Sequence, residues 1–184
     1  TIEISSAAGS AVAMSSGTLE AISGEEIDFE ITLHNFGNAI ASDVMAELSS
    51  PSGQITLHDA IISVGDINSG VDETVVFSAY VHGTAFHMED LDLKLTISDA
   101  EGNTWVNAVP VNVEGPYLMV DDYAGDIYPG SNTEFILNLE NQGSRSLSSY
   151  SLELLPYDNL VSIYSDPTSL SELSVGENIY LDDF

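Results

Sequence analysis

Apolar and polar side chains alternate along most of this chain. Ile27, Phe29, Ile31 and Leu33 are interleaved with Asp28, Glu30, Thr32 and His34, and Val44, Ala46 and Leu48 with Met45 and Glu47. Val75, Phe77, Ala79 and Val81 share one parity, and Leu91, Leu93, Leu95 and Ile97 alternate with Asp92, Lys94 and Thr96. A period of two marks strands with one face in a core and the other in water. Asp99–Asn103 reads as a tight hairpin, with Gly102 supplying a positive φ. Trp105, Val109, Val111 and Val113 form the returning strand, and Pro110, on the other parity, places it at a sheet edge. Short strands at this density, seven or so per ~100 residues, predict an all-β, immunoglobulin-like Greek-key β-sandwich.

The same pattern returns after 106 residues. Gly24–Gly70 and Gly130–Gly176 align without a gap and share ten identities in 47 positions, among them Phe29/Phe135, Leu33/Leu139, Asn35/Asn141, Gly37/Gly143 and Leu48/Leu154. Ordinary residue usage would give roughly three. Tandem sandwich domains are therefore expected. Residues 1–9 read as the last strand of a preceding repeat, 10–114 as one complete sandwich, and 115–184 as a second that lacks its final strands. In each copy Asn35-Phe36-Gly37 and Asn141-Gln142-Gly143 end a strand. They read as sharp turns, because Asn and Gly tolerate left-handed backbone.

Composition narrows the function classes. Thirty acidic residues face two basic ones, Lys94 and Arg145, for a net charge of −28. That repels phosphate backbones and anionic bilayers, so neither nucleic acid nor membrane insertion is expected. No apolar run approaches the ~20 residues of a membrane span. Cysteine is absent, which removes disulfides, thiolate metal sites and a cysteine nucleophile.

Candidate chemistry is sparse. His82, His87 and Glu89 have a spacing that zinc accepts, but such a spacing more often belongs to a solvated loop. No G-x-S-x-G elbow accompanies the many serines, so the segment reads as non-enzymatic. Asp121, Asp122 and Asp126 are the metal candidates. They offer three carboxylates in one acidic stretch, and calcium, which takes six to eight oxygens, is the one cofactor they suggest. The competing reading is an acidic linker.

A family resemblance rests on Gly24–Leu48, on Gly65-Asp66-Ile67 through Gly70, and on Leu95–Trp105. These segments resemble the CARDB and NEW3 type of bacterial and archaeal immunoglobulin-like repeats. They are similar to the repeats that follow the catalytic domain in gingipain-like secreted cysteine peptidases. In the second copy Arg145-Ser146-Leu147 and Ser171-Glu172-Leu173 depart from the pattern. The resemblance implies an extracellular, secreted or cell-surface segment acting as structural spacer, adhesion or accessory module. Its partners would be neighbouring repeats of the same chain, or a cell-surface protein or glycan. Three alternatives accompany it: the non-catalytic tail of such a peptidase, a carbohydrate-binding module using Tyr80, Trp105, Tyr117 and Tyr123, and a strand-donating subunit of an extracellular filament with Thr1–Ser6 as the donor. For the second copy, a continuing chain is the expected source of the missing strands.

Overall fold

The computed structural model describes residues 9–182 apart from 127, 158, 161 and 165. The chain divides into two compact units, Thr1–Val113 and Glu114–Phe184. The expected strand at residues 1–9 lies, but for Gly9, outside the described residues, as does the proposed donor strand Thr1–Ser6.

Unit 1 is built from β1 (Val12–Thr18), β2 (Ala21–Ile22), β3 (Glu26–Asn35), β4 (Ala41–Ser49), β5 (Ile55–Leu57), β6 (Ile61–Ile67), β7 (Asp72–Val81), β8 (Leu93–Ser98), β9 (Thr104–Val109) and β10 (Val113–Glu114). Two four-stranded sheets, ordered β1-β3-β7-β5 and β6-β4-β8-β9, enclose one core, and β2 pairs with β10. The alternation read from the sequence selects the inner faces. Phe29, Ile31 and Leu33 of β3 are fully buried, and Phe29 stands opposite Phe77 across the β3–β7 ladder. On the other sheet Ala46 pairs with Ile97 and Leu48 with Leu95. Each large side chain removed from water in this way contributes about 1.5–3 kcal/mol. The immunoglobulin-like β-sandwich class is what the structure shows.

Pro110 marks one departure from the sequence reading. β9 is an edge strand, as its proline requires, but it stops at Val109. Pro110 has no N–H with which to continue a ladder. The chain leaves the sheet, and Val111 and Val113 are buried through other bonds: the Val111 carbonyl accepts from Leu91 N–H, and Val113 N–H donates to Glu89.

Unit 2 has five strands among the described residues: β11 (Leu118–Ala124), β12 (Ile136–Asn141), β13 (Leu147–Leu152), β14 (Thr168–Leu173) and β15 (Asn178–Leu181). They form a three-stranded sheet, β11-β12-β15, and a two-stranded one, β13-β14. Only Leu139, Leu173 and Leu181 are buried hydrophobics among its described residues, against 23 in the core of unit 1.

Candidate functional site

The three acidic metal candidates are not gathered. Asp121 sits where the β11–β12 register skips between Val120 and Asp122, and its carboxylate accepts from the Asn138 side-chain amide at 3.0 Å. Asp122 accepts from the adjacent Tyr123 N–H at 2.8 Å, and Asp126 lies beyond the end of β11. Each carboxylate is turned to a different local partner. Among the described residues no group of three His, Asp or Glu side chains is placed to hold a metal ion. That includes the zinc candidates: His82 Nε2 is 2.9 Å from Thr56 Oγ1, and Glu89 accepts from Phe86 N–H at 3.2 Å.

The structure gives a different role to the two Asn-x-Gly segments. Asn35 is completely buried at the end of β3. Its side-chain oxygen accepts from Ala11 N–H at 3.1 Å and Gly37 N–H at 3.0 Å. Its amide donates to the carbonyls of Ala39 at 2.8 Å and Ile67 at 2.9 Å. One side chain thus satisfies four backbone groups, two of which, in Ala11 and Ile67, lie on segments far from it in sequence. Asn141 repeats the set 106 residues on. Its oxygen accepts from Tyr117 N–H at 3.2 Å and Gly143 N–H at 3.1 Å, and its amide donates to Arg145 at 2.9 Å and Leu173 at 3.1 Å.

Gly37 and Gly143 explain the third residue of each segment. A Cβ on Gly37 would lie 2.2 Å from the Gly9 carbonyl oxygen, and one on Gly143 would lie 2.3 Å from that of Gly115. Neither glycine adopts a positive φ, nor does either asparagine. Asn is there for its amide and Gly for lack of room, not for left-handed backbone. Sequence reasoning found the positions and missed the cause. A buried polar side chain at a strand end, with glycine two residues on, was the signal available.

Further contacts recur at the same spacing. Gly70 and Gly176 N–H donate to the carbonyls of Asn35 and Asn141, each at 2.8 Å. The ladder skips between Met14 and Ser16 and again between Val120 and Asp122. Asp43 and Ser149, also 106 apart, carry the left-handed φ values of 48° and 54°.

Against this shared framework, one difference stands out. β4 is a central strand held by β6 on one side and β8 on the other. Its counterpart β13 is paired with β14 alone among the described residues. β4 spans nine residues and β13 six. The shortfall is Glu153–Leu155, the counterparts of Glu47, Leu48 and Ser49, which in unit 1 pair with Thr96, Leu95 and Lys94 of β8. Leu48 is buried; Leu154 is only half-buried and Leu155 is 69% exposed. Tyr150 occupies the place of the buried Val44. Its hydroxyl is enclosed with no hydrogen-bond partner among the described residues, and burial, with the charge of Glu177, pushes the phenol up from its ordinary pKa.

No family model matches the chain, and no curated protein matches it. Among solved structures it is similar to the YadV chaperone, at 10% identity over 94% of this chain and 84% of that one, with a TM-score of 0.36. It is similar to the CsuC–CsuE chaperone–tip adhesion subunit pre-assembly complex of Acinetobacter baumannii, at 10% identity over 91% and 90%, TM-score 0.32. A third is the CupB2 chaperone of Pseudomonas aeruginosa, at 9% identity over 92% and 88%, TM-score 0.31.

These findings correct the family reading. The neighbours found include several pilus and fimbrial chaperones, and no family model supports the CARDB and NEW3 resemblance. The physical reason lies in the motif. Its alternation, its buried Asn35 and its tightly packed Gly37 are what this sandwich needs to close, so they report architecture and do not by themselves single out one family. The functions inferred through that family fall with it: spacer, adhesion or accessory segment, peptidase tail, carbohydrate-binding module and strand-donating filament subunit. The proposed aromatic platform is also divided, since Trp105 packs partly against the core while Tyr123 is 68% exposed on β11. Neighbouring repeats of the same chain likewise gain no support as partners.

Proposed function

We propose that this chain is a non-enzymatic, exported protein-binding module whose unit 2 takes an extended segment of a protein partner onto an open sheet edge. One observation carries the reading. Unit 2 keeps the hydrogen-bonded framework of unit 1, yet among the described residues its strands have edges without a ladder partner and large apolar side chains are exposed, among them Ile136, Tyr157, Tyr164 and Tyr180. Open edges recruit strands, and strand addition combines main-chain hydrogen bonds with pockets for alternate side chains. A chaperone-like grip on an unfolded segment is one form of such a contact. Export is supported by the scarcity of basic residues: only Lys94 and Arg145 offer sites to proteases that cut after Lys or Arg. Lys94 lies within β8, between two paired strands.

The test is selection from a displayed library of random 12-residue peptides against the full chain. Enriched peptides with apolar residues at every second position, whose binding slows amide exchange in unit 2, are the expected result. Enrichment without that alternation, or protection confined to unit 1, would show that the edges of unit 2 are not a binding surface.

A further inference from the structure

The two outer faces of unit 1 differ in charge. On the β1-β3-β7-β5 sheet, Glu26, Asp28 and Glu30 of β3 and Asp72 of β7 are all exposed, and no lysine or arginine shares that face. The β6-β4-β8-β9 sheet presents the opposite. One row crosses all four strands, with Ile61, Glu47, Thr96 and Val106 side by side. Met45 stands in the next row among serine and threonine, and Lys94, the only lysine of the chain, stands in the row on the other side. Ile61 is 60% exposed, Val106 58% and Met45 38%. Across these rows Glu47 is the one acid and Lys94 the one base, so the face is neutral in a chain of net charge −28. Acidic residues return at its margins, at Asp43, Asp66 and Asp92.

A face poor in charge, with aliphatic side chains in water and a charged rim, has the composition of an interface centre. Its two charges say what fits it. Glu47 lies opposite Thr96, and Lys94 is two residues from Thr96 along β8. The two are therefore diagonal neighbours, about 7–8 Å apart. A two-fold axis in the plane of the face, passing between them, sets Lys94 of one copy over Glu47 of the other, and the reciprocal contact follows by symmetry. The face is thus complementary to itself. The outer face of the other sheet is not, since two copies meeting there would bring like charges together.

We propose that the outer face of the β6-β4-β8-β9 sheet joins two copies of this chain, unit 1 against unit 1, with Glu47 and Lys94 paired across the two-fold axis. The contact uses no strand edge of unit 2 and stands independently of the strand-accepting reading above. It is small. Four strands about 4.8 Å apart and about six residues long cover roughly 400 Å² per copy. A stable complex commonly buries about 800 Å² per partner. Association is therefore weak, and it works against the long-range repulsion of two acidic chains. Salt screens that repulsion, because the Debye length falls from about 10 Å at 0.1 M to about 3 Å at 1 M. The Glu47–Lys94 contacts act at closer range and are screened less. The dimer therefore tightens as salt rises.

Sedimentation equilibrium of the full chain, at protein concentrations up to about 1 mM and at about 0.1 M and 1 M NaCl, reads the association. A reversible monomer–dimer equilibrium that is several-fold tighter at the higher salt is the expected result. Charge reversals then locate the contact. Both side chains are exposed on the outward parity of their strands, so the fold tolerates the change. Lys94→Glu and Glu47→Lys are each expected to weaken association by about tenfold or more, because each turns two attractive contacts into repulsive ones. Glu47→Lys is the sharper of the two, since it lowers the overall negative charge and would strengthen association if net charge alone governed it. Mixing the two variants is expected to restore association, as a heterodimer in which each Glu again meets a Lys. A chain that stays monomeric at the highest protein and salt concentrations would overturn the proposal. So would single variants that associate as the parent does, as they would if the copies met through unit 2. Two single variants that both lose association and do not recover on mixing would overturn it as well, since position 47 would not then face position 94.

Discussion

Units 1 and 2 share a hydrogen-bonding framework and differ in their cores. In both, a buried asparagine ties four backbone groups, a glycine passes under a carbonyl with no room for a Cβ, and the first ladder skips a residue at the same place. Yet 23 hydrophobic residues fill the core of unit 1, while Phe135 and Leu137, the counterparts of the fully buried Phe29 and Ile31, remain half-exposed. The difference separates two kinds of interaction. The asparagine hub needs only strands within about a third of the repeat, so it forms wherever those strands are present. Burial is collective, because a side chain on β12 is covered only when the facing sheet is wide enough. Polar framework and apolar core are thus not one property of the fold but two.

Cavity substitutions break that comparison most sharply. Phe29→Ala removes a fully buried ring opposite Phe77, and the expected loss is about 3–5 kcal/mol in unit 1. Phe135→Ala removes a half-exposed ring, and about 1–2 kcal/mol is expected in unit 2, since much of that surface is already in water. Urea unfolding of the full chain, followed through amide resonances assigned to each unit, measures both. Equal losses at the two positions would mean that unit 2 buries Phe135 as fully as unit 1 buries Phe29.

The asparagine pair should behave the other way. Asn35→Ala and Asn141→Ala each leave four backbone groups without their side-chain partner, in sites of equal burial. An unsatisfied buried group costs about 1–3 kcal/mol, and part of that is recovered by local rearrangement, so a loss of about 2–3 kcal/mol is expected in each unit. The same unit-resolved unfolding experiment applies. A loss at Asn141 below half of that at Asn35 would show that the hub depends on the complete core after all.

How much of this was legible beforehand depends on the distance over which each feature is set. Phe29, Leu33, Leu48, Phe77, Leu93 and Leu95 follow from alternation alone and are all buried, because strand parity is a local property. The alternation carries the returning strand on to Val113, whereas β9 ends at Val109. The pattern of Val109, Val111 and Val113 is unbroken, and only the structure shows Pro110 diverting the last two valines to other partners. Asn35 and Asn141 stand out in the sequence as turn residues and not as hubs, since Ala11 and Ile67 reach the Asn35 side chain from 24 and 32 residues away and no local pattern announces them. The acidic stretch of Asp121, Asp122 and Asp126 is legible as a cluster only along the sequence. Proximity in sequence does not tell which way each carboxylate turns.

The smallest expected effect is pH-dependent and confined to unit 1. Asp99 begins the β8–β9 hairpin. One carboxylate oxygen accepts from the N–H groups of Glu101 at 3.0 Å and Asn103 at 2.9 Å. The other accepts from the Asn103 side chain at 2.8 Å and from the Ser10 hydroxyl at 2.9 Å. Burial raises its pKa, but these hydrogen bonds to Asn103, Ser10 and Glu101 together outweigh burial and hold it below the ordinary carboxylate value. A pKa lower in the folded state than in the unfolded one adds stability above the unfolded value, and that stability is lost as pH falls through the folded value. Asp99→Asn keeps the shape and removes the charge. At pH 7 it should destabilise unit 1 by about 1–2 kcal/mol, the difference between charge-assisted and neutral hydrogen bonds. Below the folded-state pKa the wild-type side chain is itself neutral, so the two proteins should converge there. Unit 2 has no counterpart of this hairpin among its described residues, and its amides serve as the internal reference. Unfolding curves of both proteins across acidic to neutral pH decide the matter: a gap between them that stays constant down to the lowest pH would show that the charge on Asp99 contributes nothing to the turn.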